Sequence, residues 1–521
     1  MKYSSIIFLL FTTLLLFNGC TENFEELNTN PLALTADKVD ASLIGLAFAQ
    51  TQYNTVNGVH WRFQISENLF SDLFCQYFAT TQSNFDSDRY TQVGRWSDLA
   101  WSSFYGQAAP NIKFVEDFTA EQGLTVENAI AKVWRVYGYH RITDYWGPVP
   151  YSQFGNGETV VAYDSQESMY DNFFTTLDEA VSVLKSNSGA NAFGANDQIY
   201  GGDASQWLKL ANTLRLRLAL RIKYVDPGKA KSEAEKAVAD GVIEDVGDNA
   251  TMLTTANSPN PISTITNWGE YRMSSTMESV LKGFEDPRMP VYFSPAVNGD
   301  SDGDGIPYEG LRNGQAKIDI QADQNTPHSD VGPQFRPENL GGFPRIVVIR
   351  AGEAYLLRAE GALEDWNMGG NAKELYEEGI RQSMMEWTDA DAAAIDAYIA
   401  SSNTPVETGD IHNTPALTDI PIAFEEAGSK ERRLEQIITQ KWLALYPDGW
   451  EAWAELRRTG YPKQFDRLNS DNPDVGVDEI MRRMVYVTSE FDNNREGVDG
   501  AIGSTELGSD KNNTKVWWDK K

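Results

Sequence analysis

The 521 residues carry 44 Lys and Arg against 75 Asp and Glu, a formal charge of −31, with 41% hydrophobic and 12% aromatic content. A chain of that size buries a large core without help from metals or disulfides, and its acidity argues against nucleic acids and polyanionic polysaccharides as ligands. Two cysteines, Cys20 and Cys75, exclude both a zinc ribbon and a disulfide framework.

In chain order, Met1-Lys2 is followed by an apolar run from Ile6 to Phe17, which has signal-peptide length and is too short to span a bilayer. It ends Phe17-Asn18-Gly19-Cys20, a small residue before cysteine as in a bacterial lipoprotein cleavage site. Lipidation is therefore expected on Cys20, with 1–19 removed and 20–40 forming a polar, acidic leash. Residues 41–521 are expected to make a single domain. No later segment holds eighteen consecutive apolar residues, so the chain is expected to be anchored to a membrane and not to cross it. Helical spacing covers Ala41–Gln52, Gln64–Phe78, Asp98–Phe118 and Val126–Tyr145, the last stopped by Trp146-Gly147-Pro148-Val149-Pro150. Helices are predicted again at Ser165–Lys185, Ser205–Tyr224 and Lys229–Ala239, the last ended by Gly241. From about 244 to 344 the pattern breaks into Asn-, Pro-, Gly- and Ser-rich pieces, and so long a connection inside a domain is usually functional. Helices resume at Ile346–Leu363, Gly370–Glu386, Asp389–Ser401, Lys430–Tyr446 and Asp448–Thr459.

Two helix pairs, Trp207–Ile222 with Lys229–Ala239 and Arg350–Leu363 with Ala372–Gln382, share a helix–turn–helix build. In the second, Ala and Gly stand where paired helices must approach closely, with Tyr355 and Tyr376 filling the gaps. Each such hairpin buries its apolar face only against a neighbour, as in tetratricopeptide arrays. The fold class expected is mainly α, a scaffold of tetratricopeptide-like hairpins with a loop-rich half. Trp134, Trp207, Trp442, Trp450 and Trp453 sit on helix faces among Leu and Ala and read as core. Cys75, amid Leu73, Phe74, Tyr77 and Phe78, reads as a buried small hydrophobe.

Three blocks converge on one family. Asp144-Tyr145-Trp146-Gly147-Pro148-Val149-Pro150-Tyr151 resembles its turn, and Trp207-Leu208-Lys209-Leu210-Ala211-Asn212-Thr213-Leu214 with Arg217 and Arg221 resembles its long helix. Gln440-Lys441-Trp442, Glu451-Ala452-Trp453 and Arg457-Arg458-Thr459-Gly460-Tyr461-Pro462 resemble its C-terminal block. With the lipobox, these are similar to the SusD/RagB nutrient-binding outer-membrane lipoproteins of the SusD-like branch, over nearly the whole chain. The acidic residues after Cys20 resemble the surface-export signal of Bacteroidota lipoproteins. The resemblance implies a helical-hairpin scaffold with a loop-rich ligand face, and a lipid-anchored, surface-exposed protein of the outer membrane. It also implies a SusC-type TonB-dependent transporter as partner and capture of oligosaccharide, or peptide in some branches, without cleavage.

Sugars present apolar C–H faces and hydroxyl rims, so binding needs flat aromatic side chains with polar neighbours. Gln82–Trp96 offers Asn84, Asp86, Arg89, Tyr90 and Trp96, and Asn257–Tyr271 offers Asn267, Trp268 and Tyr271; Trp61, beside His60 and Arg62, is a further candidate. Trp268 leads because apolar neighbours are scarce around it. Each aromatic could instead cap a local hydrophobic cluster. Asn298–Glu309 (NGDSDGDGIPYE) matches a calcium loop, with oxygens from Asn298, Asp300, Asp302, Asp304 and Glu309; a register starting at Asp300 puts Gly305 at the turn and Leu311 where the closing acid belongs. The alternative is a solvated acidic turn. Structural Ca2+ is thus expected, and no catalytic cofactor. No H-E-x-x-H, G-x-S-x-G, Walker or Rossmann pattern occurs, and His60, His140, His328 and His412 are scattered. The function expected is a non-enzymatic binder of a neutral glycan such as a β-glucan. The alternatives are a peptide binder of the same architecture and a surface glycoside hydrolase.

Overall fold

The computed structural model describes residues 41–336, 344–410, 412 and 414–521. The expected signal peptide, Cys20 and the whole of the leash lie outside the described residues. Residues 1–44 and 45–521 group as separate units, and the second carries the fold.

Fifteen helices build the scaffold and frame its sites: α1 Ala41–Thr55, α2 His60–Phe63, α3 Gly94–Ser103, α4 Ala109–Glu121, α5 Thr125–Trp146, α6 Gln166–Ser186, α7 Ala204–Arg221, α8 Pro227–Asp240, α9 Pro261–Ile265, α10 Ser275–Gly283, α11 Ala351–Leu363, α12 Ala372–Trp387, α13 Ala392–Ile399, α14 Lys430–Leu445 and α15 Gly449–Thr459. Their ends follow from local chemistry. The side chains of Ser165, Asp203 and Asp226 accept backbone N–H groups at the starts of α6, α7 and α8, and Asn371 with Glu374 forms a capping box on α12. Gly147 ends α5 at φ +83°, a conformation only glycine takes without strain.

Helix α7 packs on α8, and α11 on α12, as the two expected hairpins. At the second crossing, a Cβ on Gly379 would lie 2.6 Å from Leu356 Cγ and 3.2 Å from the Gly352 carbonyl oxygen, so glycine is what lets the helices approach. Tyr376 is fully buried there and donates to the Ile422 carbonyl oxygen at 2.7 Å. The five expected core tryptophans are all buried. Each indole N–H finds an acceptor, such as Thr55 Oγ1 for Trp134, the Cys75 carbonyl for Trp442 and the Arg141 carbonyl for Trp450. Cys75 is buried as expected.

A buried ion network ties the two hairpins to the C-terminal helices. Arg217 Nε meets Glu353 Oε1 at 2.7 Å, Arg221 Nη2 meets Glu451 Oε1 at 2.5 Å, and Lys441 Nζ meets Glu455 Oε2 at 3.1 Å. Lys223 Nζ reaches Glu360 Oε1 at 2.8 Å. Arg217, Arg221, Lys441, Glu451, Glu455 and Arg458 of the long-helix and C-terminal blocks are thus interior fittings, each charge compensated by another because an unpaired one would cost several kcal/mol, on the order of 3–5.

Three expected elements differ. Gln64–Phe78 is not one helix: a π-turn at Gln64–Asn68 and a short helix at Ser71–Phe74 lead into strand β1, Phe78–Thr80. Asp98–Phe118 is interrupted by a π-turn at Phe104–Ala108, just before Pro110, which has no N–H to give to the helical ladder. Ile346–Ile349 is a strand, as its β-branched run favours. It is β4, antiparallel to β2, Ala250–Met252, with a register shift at Ala250. Strand β3, Tyr271–Met273, pairs antiparallel with β1, placing Thr80 opposite Tyr271. Within 244–344, α9 and α10 had no clear sequence signal.

Candidate functional site

Two segments far apart in sequence meet at the surface. Helix α2 presents His60, Trp61 and Arg62, and α9 packs against it. Beyond α9, a 3₁₀ turn (Thr266–Trp268) closes on Gly269 at φ +67°. The turn is held from several sides. Thr266 Oγ1 donates to Asp330 Oδ1 at 2.7 Å, Gln64 Nε2 to Glu270 Oε2 at 2.5 Å, and Thr81 Oγ1 to the Gly269 carbonyl oxygen at 2.6 Å. What it holds out is Trp268, 40% exposed, with the His60 imidazole edge-on to its ring at 5.6 Å. Trp61 is 38% exposed and carries the Arg62 guanidinium 4.7 Å from its ring centroid. Arg62 Nη1 donates to Ser103 Oγ at 3.4 Å on α3, where Leu99 is also exposed. Two indoles fixed by a rigid frame, with a guanidinium, an imidazole and amides around them, suit the mixed apolar and hydroxyl surface of a sugar.

Asn267 is exposed beside Trp268, and Asn84 is exposed three residues beyond Thr81. Asp86 is half-buried and bonded to Arg89 at 2.5 Å. The other candidates point inward, which corrects the expectation for them. Arg89 is buried and also bonded to Asp471 at 2.6 Å. Tyr90 is buried at φ +64° under the Arg467 guanidinium, which donates to its hydroxyl at 2.6 Å. Trp96 is buried on Phe85, with ring centroids 5.8 Å apart, and Tyr271 lies within the β1–β3 pair, edge-on to Phe78 at 4.7 Å. The partners that draw Arg89 and Tyr90 in, Asp471 and Arg467, come from the other end of the chain. His60, Arg62, Gln64 and Glu270 join the site unassigned by sequence; the run His60-Trp61-Arg62 was the only signal for them.

The Asn298–Glu309 loop folds in the second register. Asp300 accepts the N–H groups of Gly303 and Gly305 at 2.7 and 2.9 Å, and Asp304 accepts that of Ile306 at 2.7 Å. Asn298 is exposed and outside both groups of convergent acids, which are Asp300, Asp302 and Asp304 at the surface and Glu278, Asp302 and Glu309 beneath. Among the carboxylates stands Lys282 of α10. Its ammonium, with the side chain 1% exposed, lies 3.0 Å from Glu278, 3.2 Å from Asp302, 3.0 Å from Asp304 and 3.6 Å from Glu309. Burial pushes the Glu278 carboxyl up to about 8 despite Lys282. Burial is the largest single influence on Lys282 and opposes its charge, but Glu278, Asp304 and Glu309 together outweigh it and hold the ammonium above the usual lysine range.

Beside this loop a cavity of about 550 Å³ opens on the loop-rich half, lined by residues between Ser301 and His328, by Thr408, Gly409, Asp410 and His412, and by Glu278, Leu468 and Asn469. No Trp, Tyr or Phe lines it.

Among curated proteins no match was found. Solved structures give close ones. A chitin-binding SusD homologue from Flavobacterium johnsoniae is 35% identical, covering 92% of this chain and 99% of its own, with a TM-score of 0.83. A SusD homologue from Bacteroides ovatus is 31% identical, covering 93% and 100%, also at 0.83. A further chitin-binding protein is 28% identical, covering 92% and 100%, at 0.76. No helix among the described residues is long and apolar enough to cross a membrane. The model of the SusD-like family, SusD and RagB outer membrane lipoproteins, matches residues 26–519. With the hairpin scaffold, the buried ion network built from the family blocks and the loop-rich face all in place, this chain belongs to the SusD-like family of outer membrane lipoproteins.

Proposed function

We propose that this protein is a lipid-anchored, surface-exposed glycan receptor that binds a neutral β-linked polysaccharide, a chitin-type chain foremost, and passes it unchanged to a SusC-type TonB-dependent transporter. The observation that carries the reading is the pair of exposed indoles, Trp61 and Trp268, framed by His60, Arg62 and Asn267. The chitin-binding relatives support a neutral glycan, and so does the chain's acidity, which opposes a polyanionic one. Cys20 is the proposed lipidation site. Affinity electrophoresis against neutral and anionic polysaccharides tests the reading: retardation by the neutral set supports it, and binding confined to the anionic set overturns it.

Structural calcium belongs to the same proposal, at Asp300, Asp302 and Asp304, whose carboxylate oxygens lie within 4.8 Å of one another. There a divalent ion competes with the Lys282 ammonium for Asp302 and Asp304.

A further inference from the structure

Two side chains of opposite charge flank the indole platform, and neither enters an ion pair among the described residues. Arg62, half-buried beside Trp61, gives Ser103 Oγ one long hydrogen bond at 3.4 Å through Nη1. Its Nε and Nη2 donate to nothing among the described residues. Glu270, half-buried two residues past Trp268, accepts the Gln64 amide on Oε2 at 2.5 Å, and no hydrogen bond reaches its Oε1 among the described residues. Other charges around the frame are matched: Glu67 lies 3.0 Å from Arg141, and Asp330 lies 2.5 Å from Arg336.

Burial pushes the Arg62 guanidinium down and the Glu270 carboxyl up. No opposite charge counters the first, and only the Gln64 amide counters the second. Partly desolvated charges are normally matched, so two unmatched ones beside exposed rings point to polar groups of a ligand.

Their placement gives the platform a polarity. Arg62 reaches toward α3 through Ser103, whereas Glu270 stands at the turn that holds out Trp268, tied there by Gln64, the residue after α2. A guanidinium only donates and an ionised carboxylate only accepts. A hydroxyl can meet either of them. An acetamido carbonyl can meet only the donor, and meets it better than a hydroxyl does, because amide resonance places more negative charge on its oxygen. A chain whose units carry both groups therefore satisfies both sides of the platform, and an unsubstituted glucan offers Arg62 hydroxyls alone.

We infer that Arg62 and Glu270 set the specificity of the platform: Arg62 receives the acetamido carbonyl of an N-acetylated β-linked chain and Glu270 receives a ring hydroxyl, so that this chain is preferred to an unsubstituted β-glucan. The assignment rests on the glycan-receptor reading and names the residues that read the substituent.

Isothermal titration on the full chain in detergent compares the β-1,4-linked N-acetylglucosamine tetramer with the β-1,4-linked glucose tetramer, which shares its backbone and lacks the acetamido groups. The wild type is expected to bind the acetylated tetramer tighter by about fivefold or more. Arg62→Met keeps an apolar stem beside Trp61 and should weaken the acetylated tetramer by about that factor, leaving the glucose tetramer within about twofold. Glu270→Ala should weaken both alike, because both offer hydroxyls. Equal affinity of the wild type for the two tetramers, equal losses of both in Arg62→Met, or unchanged binding of both in Glu270→Ala overturns the assignment. A purely structural role for Arg62 would give those equal losses. Trp268→Ala separates the assignment from the platform itself: if that variant loses both tetramers while Arg62→Met loses neither, the platform stands and the assignment falls. A wild type that binds neither tetramer overturns both.

Discussion

Arg458 grips Glu360 through two parallel bonds, Nη1 to Oε1 at 2.7 Å and Nη2 to Oε2 at 2.6 Å, with both side chains fully buried. The pair fastens the C-terminal helix α15 to the hairpin helix α11. Burial opposes the Glu360 charge, but Arg458 and Lys223 override it and bring the carboxyl down to about 2. Because the folded value lies below the unfolded one, this stabilisation is complete above about pH 4.5 and is lost as pH falls toward 2. Removing one partner, as in Arg458→Met, is expected to cost about 3–5 kcal/mol in urea unfolding at neutral pH. Glu360→Gln should flatten the acid limb of stability between those pH values. An acid limb as steep as the wild type's would show that the pair does not set it.

Trp268 and Trp96 look alike in sequence as ligand contacts, and the structure parts them. Trp268→Ala should weaken glycan binding about five- to a hundredfold, the loss of stacking being worth roughly 1–3 kcal/mol for a ring against a flat ligand face, and leave the melting temperature unchanged. Trp96→Ala should do the reverse and destabilise the fold by about 3–5 kcal/mol, because it empties a core position. Calorimetry and titration on the same two variants check this; a melting drop in Trp268→Ala would place that ring in the core.

Lys282 decides how the acidic loop responds to calcium. Lys282→Met leaves Glu278, Asp302 and Glu309 without their ammonium, so its melting temperature should fall in EDTA and recover with added calcium. The wild type should show a smaller shift in the same direction. Melts insensitive to calcium in both proteins would remove the ion from the proposal.

Gly379→Ala should destabilise the α11–α12 hairpin by about 1–3 kcal/mol, because the new methyl group meets Leu356 and the Gly352 carbonyl, outweighing any gain in helix propensity. Gly94→Ala, where a Cβ meets nothing within 4 Å, is the control and should be neutral or mildly stabilising. Equal effects of the two in urea unfolding would contradict the close approach.

Much of the scaffold is legible because helices declare themselves by period. α5 to α8, α12, α14 and α15 fall within a few residues of their expected bounds, and the Gly and Ala spacing of the second hairpin foretells its crossing. The family blocks are legible as patterns but not as physics: nothing local says that Arg458 bonds Glu360, which is 98 residues away. The same distance hides the fate of the 82–96 segment. Its polar and aromatic residues read as an open loop, yet Arg89 and Tyr90 are drawn inward by Asp471 and Arg467, over 370 residues downstream. Trp268 is legible for the opposite reason, since a ring with few apolar neighbours in sequence has little to bury itself against. The acidic loop gives no sign of its counter-cation, because Lys282 lies on α10 in a stretch whose short elements carry too few residues to show a period.

The most direct test is titration of the full chain in detergent with N-acetylglucosamine oligomers, for the wild type and for Trp61→Ala/Trp268→Ala, with reducing ends assayed in the same samples. The account predicts saturable binding by the wild type, its loss in the double variant at an unchanged melting temperature, and no release of reducing ends. Undiminished binding by the double variant, or new reducing ends from the wild type, would contradict it.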